Sequence, residues 1–205
     1  MIYAALEVHP SVVSAIHTIS PQLARFPLAK PGQPTMAFSA QKVVSTCEIR
    51  AVSYLESTLS KNAGITAHTI ADDSIVQKLD LDFVSLGATS NLKTADIFGN
   101  AANKLVDYDP QKGFFVLKTN SKPICTPRPG YDYGILLKIN PTQFPRRTWI
   151  ASAGWGEWGT SGAAWYLANK WKEIAEKVQK DQSFVCVIEV RSGQDESASL
   201  ISMHI

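Results

Sequence analysis

Two glycine-containing loops, each between a strand-like apolar run and a helix-like run, carry the residues best suited to hold a ligand. In "FVSLGATSNLKT" the apolar run ends at Gly87, and the turn and first helical residues supply Ser90, Asn91 and Thr94. Glycine allows a ligand to approach the main chain, and a helix N-terminus presents unpaired NH groups with a partial positive charge. We therefore predict that these four residues bind a ligand, and that Ser90 or Asn91 caps the helix.

The second loop, "TWIASAGWGEWGTSG", leads into the strongest helical pattern of the chain, which we expect to begin at Thr160 or Ser161. An aromatic ring stacked on a base contributes about 1–3 kcal/mol in nucleic-acid complexes, so the two tryptophans suit a flat base or a sugar face. The letters "GWGEWG" fit GxGxxG but fall late in the chain, away from a first strand, and are a weak phosphate signal. The predicted ligand-binding residues of this loop are Gly154, Trp155, Gly156, Trp158, Thr160 and Ser161.

Two carboxylates are the candidates for catalysis. Glu157 is the acidic residue of the second loop, where it suits ribose hydroxyls or acid–base chemistry. Asp73 follows the strand-like "ITAHTI", although Asp72 and Asp73 equally fit the cap of the next helix. We predict Glu157 and Asp73 as the catalytic pair of a hydrolase or glycosidase acting on a nucleotide or nucleotide sugar. No serine has an evident histidine partner and no GxSxG is present, so sensing and catalysis both stay open.

The same residue types also fit structural roles. A small-residue turn ahead of a helix lets that helix pack closely on a sheet, and Trp155 and Trp158 would equally cover an apolar edge or an oligomer interface. The charged fraction is only 19%, which fits a surface that a partner covers. The alternative function is therefore a non-catalytic oligomerisation or protein-interaction module of a larger protein. We expect a homo-oligomer or an additional domain as partner.

Composition argues against several classes of protein. The net charge of +2 and the scattered basic residues do not favour nucleic-acid binding. No apolar run reaches the roughly 18 residues of a membrane helix. Three cysteines and four histidines show no CxxC or HExxH spacing, so we predict no metal and no cofactor. This cysteine usage and the absence of a signal-peptide pattern favour a cytoplasmic protein.

The order of elements predicts an α/β fold. Strands and helices alternate in the first half, and the second half is rich in strands. The strands "YDYGILLKI" and "RTWIASAG" are joined by about seven residues, too few for a parallel crossover, so this pair should be antiparallel. "SFVCVIEV" and "ASLISMHI" should form a hairpin. We predict a Rossmann-like three-layer fold with a mixed sheet, in which a parallel core carries an antiparallel C-terminal extension.

Residues 1–40 form the predicted N-terminal strand and loop segment, with four prolines between positions 21 and 39, and residues 41–205 form the α/β ligand-binding domain. We expect the two to make one domain. In "STCEIRAVSYLESTLSKNAG", Ser45 and Glu48 have the spacing of a capping box, and Gly64 ends the predicted helix. The predicted apolar face of this helix holds Ile49, Val52, Leu55 or Glu56, and Leu59.

"SLGATSN" and "GTSGAAWYLANKW" resemble the loops of Rossmann-like nucleotide-handling domains. This fold-level resemblance implies a nucleotide-type ligand and no particular reaction. In such folds the ligand lies beyond the carboxyl ends of the parallel strands, so two loops at one edge would clamp it together. The predicted function is therefore a small-ligand-binding domain, sensor or enzyme, whose nucleotide-type ligand is held between loops 87–94 and 154–161 at helix N-termini.

Overall fold

A computed structural model describes residues 1–4, 6–7, 42–75, 80–109, 111 and 113–205. The chain divides into a larger unit, residues 1–4 and 44–205, and a smaller unit, residues 5–43. The proline-rich stretch between positions 21 and 39 lies outside the described residues, as do the last residues of "DDSIVQKL" before Asp80.

The strands of the described residues are short at the N-terminal end of the chain and long at the C-terminal end. They are β1 (Ile2–Tyr3), β2 (Leu6–Glu7), β3 (Lys42–Val43), β4 (Ile70–Ala71), β5 (Phe83–Leu86), β6 (Val106–Asp109), β7 (Phe114–Leu117), β8 (Tyr131–Ile139), β9 (Trp149–Gly154), β10 (Phe184–Arg191) and β11 (Gln194–His204). The helices are α1 (Thr46–Ala63), α2 (Leu92–Gly99) and α3 (Glu157–Ala175), with a 3-10 turn at Asp72–Ile75.

The larger unit is built on a seven-stranded mixed sheet in the order β11-β10-β8-β9-β5-β1-β4. The strands β9, β5, β1 and β4 run parallel, and β8, β10 and β11 extend the sheet with antiparallel pairings. The α/β class and the mixed sheet are therefore confirmed, as are the antiparallel β8–β9 pair and the β10–β11 hairpin. Strands β6 and β7 form a separate hairpin, and β2 pairs with β3 in the smaller unit.

Elements cover both faces of the sheet, and the alternation along β8 shows it. Ile135 and Leu137 point to the face that packs on α2 and on the β6–β7 hairpin, in one core cluster. Leu136, between them, points to the opposite face and packs on α3. Helix α1 lies on that same face, because Leu55 shares a core cluster with Ala168 of α3. The sheet is thus the middle layer of the larger unit, with α1 and α3 on one side and α2 on the other.

The first turn of α3 touches the backbones of two strands. A Cβ atom at Gly134 of β8 would lie 2.1 Å from the carbonyl oxygen of Gly159, and one at Gly154 of β9 would lie 2.2 Å from the amide nitrogen of Thr160. These separations are far below van der Waals contact, so only glycine fits either position. Gly159 itself is equally restricted, since a Cβ there would lie 2.1 Å from the carbonyl oxygen of Tyr133, so close packing of helix on sheet accounts for all three glycines.

Two predicted elements differ in extent from those of the structure. Helix α3 begins at Glu157, not at Thr160 or Ser161 as expected, because a carboxylate from β8 satisfies the first amides of the helix, as described below. The strand expected over "ITAHTI" is reduced to Ile70–Ala71, since its partner β1 offers only two residues for pairing.

The contact between α3 and β8 should make Gly134 intolerant of a side chain. Gly134→Ala forces the Cβ into the Gly159 carbonyl, and we expect the free energy of unfolding to fall by about 3 kcal/mol or more. Gly99→Ala is the matched control, because a Cβ there meets nothing within 4 Å and alanine is the better helix former, worth up to about 1 kcal/mol. Urea unfolding of both variants measures the difference, and equal stabilities would contradict the proposed contact.

Candidate functional site

The two predicted loops lie side by side. Strands β5 and β9 are parallel neighbours, and the amide of Gly87 donates to the carbonyl of Ser152 at 3.0 Å. The parallel strands end at one edge of the sheet, which we call the carboxyl edge, immediately before Ala4, Asp72, Gly87 and Trp155. Loops 87–94 and 154–161 therefore open onto the same edge.

The order in which the chain adds strands to the sheet reverses at β1, because β4 is added on one side of β1 and β5 on the other. From β1 the chain of the larger unit continues to α1 on one face of the sheet, and from β5 it continues to α2 on the other face. Adjacent strands that lead to helices on opposite faces leave a crevice between their ends, which is where doubly wound α/β folds hold ligands. We call this place the β1/β5 crevice.

The N-terminus of α2 is capped by the protein itself. The Oδ1 of Asn91 accepts the amides of Lys93 (2.9 Å) and Thr94 (3.3 Å), so Asn91 is the predicted cap. The Oδ2 of Asp72 accepts the amide of Leu92 at 2.8 Å. The first amides of α2, which would otherwise attract a phosphate, already have acceptors.

Two of the predicted residues in the first loop also fasten the sheet. The amide group of Asn91 donates to a β1 carbonyl at 3.0 Å and to a β5 carbonyl at 2.8 Å. The hydroxyl of Thr94 donates to the Gly87 carbonyl at 2.8 Å. Both side chains are fully buried, whereas Ser90 is exposed. Asn91 and Thr94 therefore set the shape of the crevice, and of the three predicted side chains of this loop Ser90 is the one that solvent reaches.

Glu48 of α1 closes the other side of the crevice. Its side chain is only 3% exposed, and its Oε2 accepts the amide of Ala4, the residue after β1, at 2.9 Å. Its Oε1 makes no hydrogen bond to the described residues. A Cβ at Gly87 would lie 2.8 Å from that Oε1, and Gly87 has a φ of +95°, so glycine is required there on two grounds.

This position of Glu48 corrects two predictions for α1. The capping box does not form, because Ser45 makes no side-chain cap hydrogen bond and the Glu48 carboxyl bonds to Ala4 instead. The predicted apolar face is correct at Leu55, which is buried, but wrong at Ile49, which is 55% exposed, and it omits the buried Ala51. Glu48 itself lies on the buried face. Glu48 precedes Ala51 by three positions and Leu55 by seven, which is the spacing of residues on one face of a helix. This spacing is the signal in the sequence that could have placed Glu48 on the buried face.

Burial raises the pKa of the Glu48 carboxyl from the ordinary 4.5 to about 7. The hydrogen bond from Ala4 lowers this pKa, and the negative charge of nearby Asp72 raises it further. Near neutral pH the group therefore exists in both protonation states, as a general acid or base requires.

The N-terminus of α3 is capped by a carboxylate that the sequence did not place. Asp132, at the start of β8, accepts the amide of Gly156 at 3.1 Å and that of Gly159 at 2.8 Å. A Cβ at Gly156 would lie 2.6 Å from the Asp132 Oδ2, so the loop closes tightly on this carboxylate. An internal anion thus occupies the helix terminus at which we expected a ligand anion.

Arg50 of α1 gathers three predicted residues of the second loop. Its guanidinium forms an ion pair with Glu157 at 3.2 Å and donates to the Ser161 hydroxyl at 3.1 Å. The same group lies 4.1 Å above the ring of Trp158. Hydrogen bonds from Thr46 and from Arg50 lower the pKa of Glu157, which favours its charged form.

Asp195, at the start of β11, forms a second ion pair with Arg50. It is only 2% exposed, and it accepts Arg50 Nε at 2.9 Å and the Tyr54 hydroxyl at 3.0 Å. The buried Ser161 hydroxyl donates to the same carboxylate at 2.5 Å. Ser161 is therefore part of a buried polar network between α1, α3 and β11, in which every group has a partner.

Trp155 faces the α2 side of the sheet. Its ring makes edge contacts with Tyr133, at 5.3 Å between centroids, and with Phe114, at 5.9 Å. Its Nε1 is buried and has no hydrogen-bond partner among the residues that the structure describes. An unpaired buried donor at the carboxyl edge is a candidate contact for a ligand.

The structure does not bring the two predicted catalytic carboxylates together. Glu157 follows β9 and Asp73 follows β4, and two strands separate β9 from β4. At about 4.8 Å per strand spacing, the ends of those strands lie roughly 14 Å apart. Asp73 is exposed and accepts the Ser74 hydroxyl at 3.3 Å. Thr160 is buried, and its carbonyl accepts the Ser152 hydroxyl at 3.0 Å.

Other features of the molecule lie apart from this edge. A groove of about 640 Å³ between α1 and α3 is lined by Thr58, Asn169 and Trp171, toward the helix ends opposite Glu48. Within the described ranges, no cluster of three or more histidine, cysteine or acidic residues could hold a metal ion. No helix in the described part of the chain has the length and apolarity needed to cross a membrane.

The raised pKa of Glu48 should make the free energy of unfolding depend on pH. Because the folded protein binds this proton more tightly than the unfolded chain, stability falls as pH rises from about 4.5 to about 7, by up to about 3 kcal/mol. Glu48→Gln removes the titration and keeps an acceptor for Ala4. Denaturant unfolding between pH 4.5 and pH 8 should give a wild-type curve that falls relative to the variant curve, whereas parallel curves would contradict the assignment.

Removing the α3 cap should destabilise the protein. Asp132→Ala leaves the Gly156 and Gly159 amides without their acceptor, and we expect the free energy of unfolding to fall by about 1–2 kcal/mol. Asp107→Ala is the control, because Asp107 is exposed and its carboxylate bonds to the adjacent amide of Tyr108. That variant should stay within about 0.5 kcal/mol of the wild type.

The chemistry of the carboxyl edge follows from four side chains that come from different elements. Glu48 and Asn91 flank the β1/β5 crevice, Asp132 caps α3, and Trp155 presents an unpaired donor. The chain matches no protein-family model, no curated protein and no solved structure.

Proposed function

We propose that the larger unit is a small-ligand-binding domain whose nucleotide-type ligand lies at the carboxyl edge, between loops 87–94 and 154–161. The observation that carries this proposal is the buried carboxyl of Glu48, with one oxygen unpaired, beside Gly87 in the β1/β5 crevice. The unpaired oxygen is available to a hydrogen-bond donor of a ligand, and doubly wound α/β folds bind their ligands in a crevice of this kind.

The strand order supports a Rossmann-like assignment. Among the parallel strands the order across the sheet is β4, β1, β5, β9. The strand β4, which follows β1 along the chain, therefore lies at the edge of the sheet, and the later strands β5 and β9 lie on the other side of β1. Flavodoxin-like doubly wound folds have this order and bind their ligand where it reverses. We therefore propose a Rossmann-like three-layer core whose ligand extends from the β1/β5 crevice, past loop 87–94, toward loop 154–161.

The capping of both helices bears on how such a ligand would be oriented. Asp72 and Asn91 occupy the N-terminus of α2, and Asp132 occupies that of α3. A phosphate placed at either terminus would have to displace these groups and would meet a carboxylate, Asp72 at α2 or Asp132 at α3. The proposal therefore assigns the base and the sugar to the crevice and leaves phosphate groups to point away from it.

An enzyme of the proposed kind needs a carboxyl that can transfer a proton, whereas a sensor does not. Glu157, a predicted catalytic residue, has a lowered pKa and is paired with Arg50, which suits a fixed charge. Glu48 has a pKa near 7 and lies at the crevice, so it is the better candidate for acid–base chemistry in a nucleotide hydrolase or glycosidase. Asp73 stays a prediction.

A thermal-shift screen with ribonucleosides, nucleotides, dinucleotides and cyclic nucleotides tests the proposal. A ligand that binds only the folded state raises the melting temperature by mass action. Trp155→Phe keeps an aromatic ring against Tyr133 and Phe114 but removes the unpaired Nε1, and it should reduce the shift at least twofold. Trp171→Phe is the control, since Trp171 is 42% exposed and lies in the distant α1–α3 groove.

Two results would count against a ligand site. If no compound of the screen raised the melting temperature, the proposed ligand site would be wrong. A change of oligomer mass in Trp155→Ala, measured by light scattering, without any ligand-dependent shift would support the interaction-module alternative instead.

A further inference from the structure

The unpaired oxygen of Glu48 identifies what part of a ligand the crevice would hold, and this step rests on the proposed function. Oε2 is committed to the Ala4 amide, which fixes the carboxyl plane, and Oε1 lies beside Gly87. The side chain is only 3% exposed, so solvation by bulk water is largely lost. Oε1 therefore remains free to accept a hydrogen bond from a ligand donor, and a bond to a charged acceptor is stronger than one between neutral groups.

The surroundings of Glu48 select against an anion. Asp72 is also almost fully buried and adds its negative charge to that of Glu48. The basic residue nearest in sequence, Arg50, is committed to Asp195 and Glu157, and no basic side chain of the described residues pairs with Glu48. A phosphate or carboxylate group brought to this place would meet like charge without a compensating cation.

A neutral hydroxyl group fits these constraints better than a cation does. An ammonium would have to lose its own hydration on entering a buried site, and a neutral hydroxyl largely avoids that cost. Dinucleotide-binding folds use an acidic side chain to bind a ribose hydroxyl, and here the acidic side chain comes from the first turn of α1. Trp155 follows β9, which is separated from β1 by β5. It supplies an aromatic edge and an unpaired donor for a flat base.

We infer that Glu48 is the anchoring residue of the ligand site and accepts hydrogen bonds from the vicinal hydroxyls of a ribose-type sugar. The ligand class is thus a ribonucleoside or a derivative of one, recognised by its sugar and base. Phosphate groups add nothing at the crevice. Glu157, which the sequence suggested for this role, is held by Arg50 and Thr46.

Isothermal titration with matched probes tests this assignment. The probes are the four common ribonucleosides, their 2′,3′-dideoxy counterparts and their 5′-monophosphates. For the ribonucleoside that binds best, we expect the dideoxy compound to bind at least tenfold more weakly to the wild-type protein. The monophosphate should bind no more tightly than the nucleoside.

Glu48→Gln should weaken the ribonucleoside about tenfold and leave the dideoxy compound within about twofold, because hydroxyls and carboxylate act as one pair. The matched control is Glu56→Gln on the same helix, since Glu56 is exposed and accepts the Thr69 hydroxyl. It should bind all probes as the wild type does. The comparison of ribonucleoside with dideoxy compound needs no variant, so it decides the question even where Glu48→Gln does not fold.

The possible outcomes distinguish the role of Glu48 from the existence of a nucleotide-type ligand. Equal binding of ribonucleoside and dideoxy compound, or tighter binding of the monophosphate, overturns the role of Glu48 and leaves the ligand site in place. Absence of binding by every probe overturns the nucleotide-type ligand itself, and the role of Glu48 with it.

Discussion

The close contact between the first turn of α3 and the backbones of β8 and β9 determines where the other elements of the carboxyl edge lie. Gly134, Gly154 and Gly159 make this contact possible, since each would place a Cβ within about 3 Å of a backbone atom of the opposing element. The contact sets the depth of α3 on the sheet. It also brings the Asp132 carboxylate to the first amides of that helix.

Helix α1 is positioned in turn by α3. The guanidinium of Arg50 joins Glu157 on α3 to the buried Asp195 on β11. Loss of Arg50 would be costly because Asp195 would keep its two hydroxyl partners but lose the positive charge that pairs with it. Glu48 is two residues before Arg50, so the pairing that fixes Arg50 also fixes the carboxyl over the end of β1. The crevice therefore depends on contacts made by neighbouring elements.

The sequence predicted the parts of this arrangement that depend on local chain pattern. The alternation of apolar runs gave the mixed sheet and the antiparallel β8–β9 pair, and the small-residue turns led to the carboxyl edge. It missed the parts that depend on partners distant in the chain. Asp132 caps a helix 24 residues away, and Glu48 bonds to an amide 44 residues away. Local pattern alone therefore predicts a capping box for α1 that does not form and a start of α3 that is about one turn too late.

These distant partners change the electrostatic character of the edge. Two helix N-termini would by themselves attract an anion, which is why glycine-containing loops ahead of helices suggest phosphate binding. Here Asp72 and Asp132 supply that anion from within the chain, and Glu48 adds a third carboxyl. The positive ends of the helices are thus used to stabilise the fold. Among the described residues, the edge offers a ligand an acceptor at Glu48, which comes from α1, and an unpaired donor at Trp155, on the side of the sheet that carries α2. A ligand that meets both must itself carry hydroxyl donors and a flat ring with an acceptor.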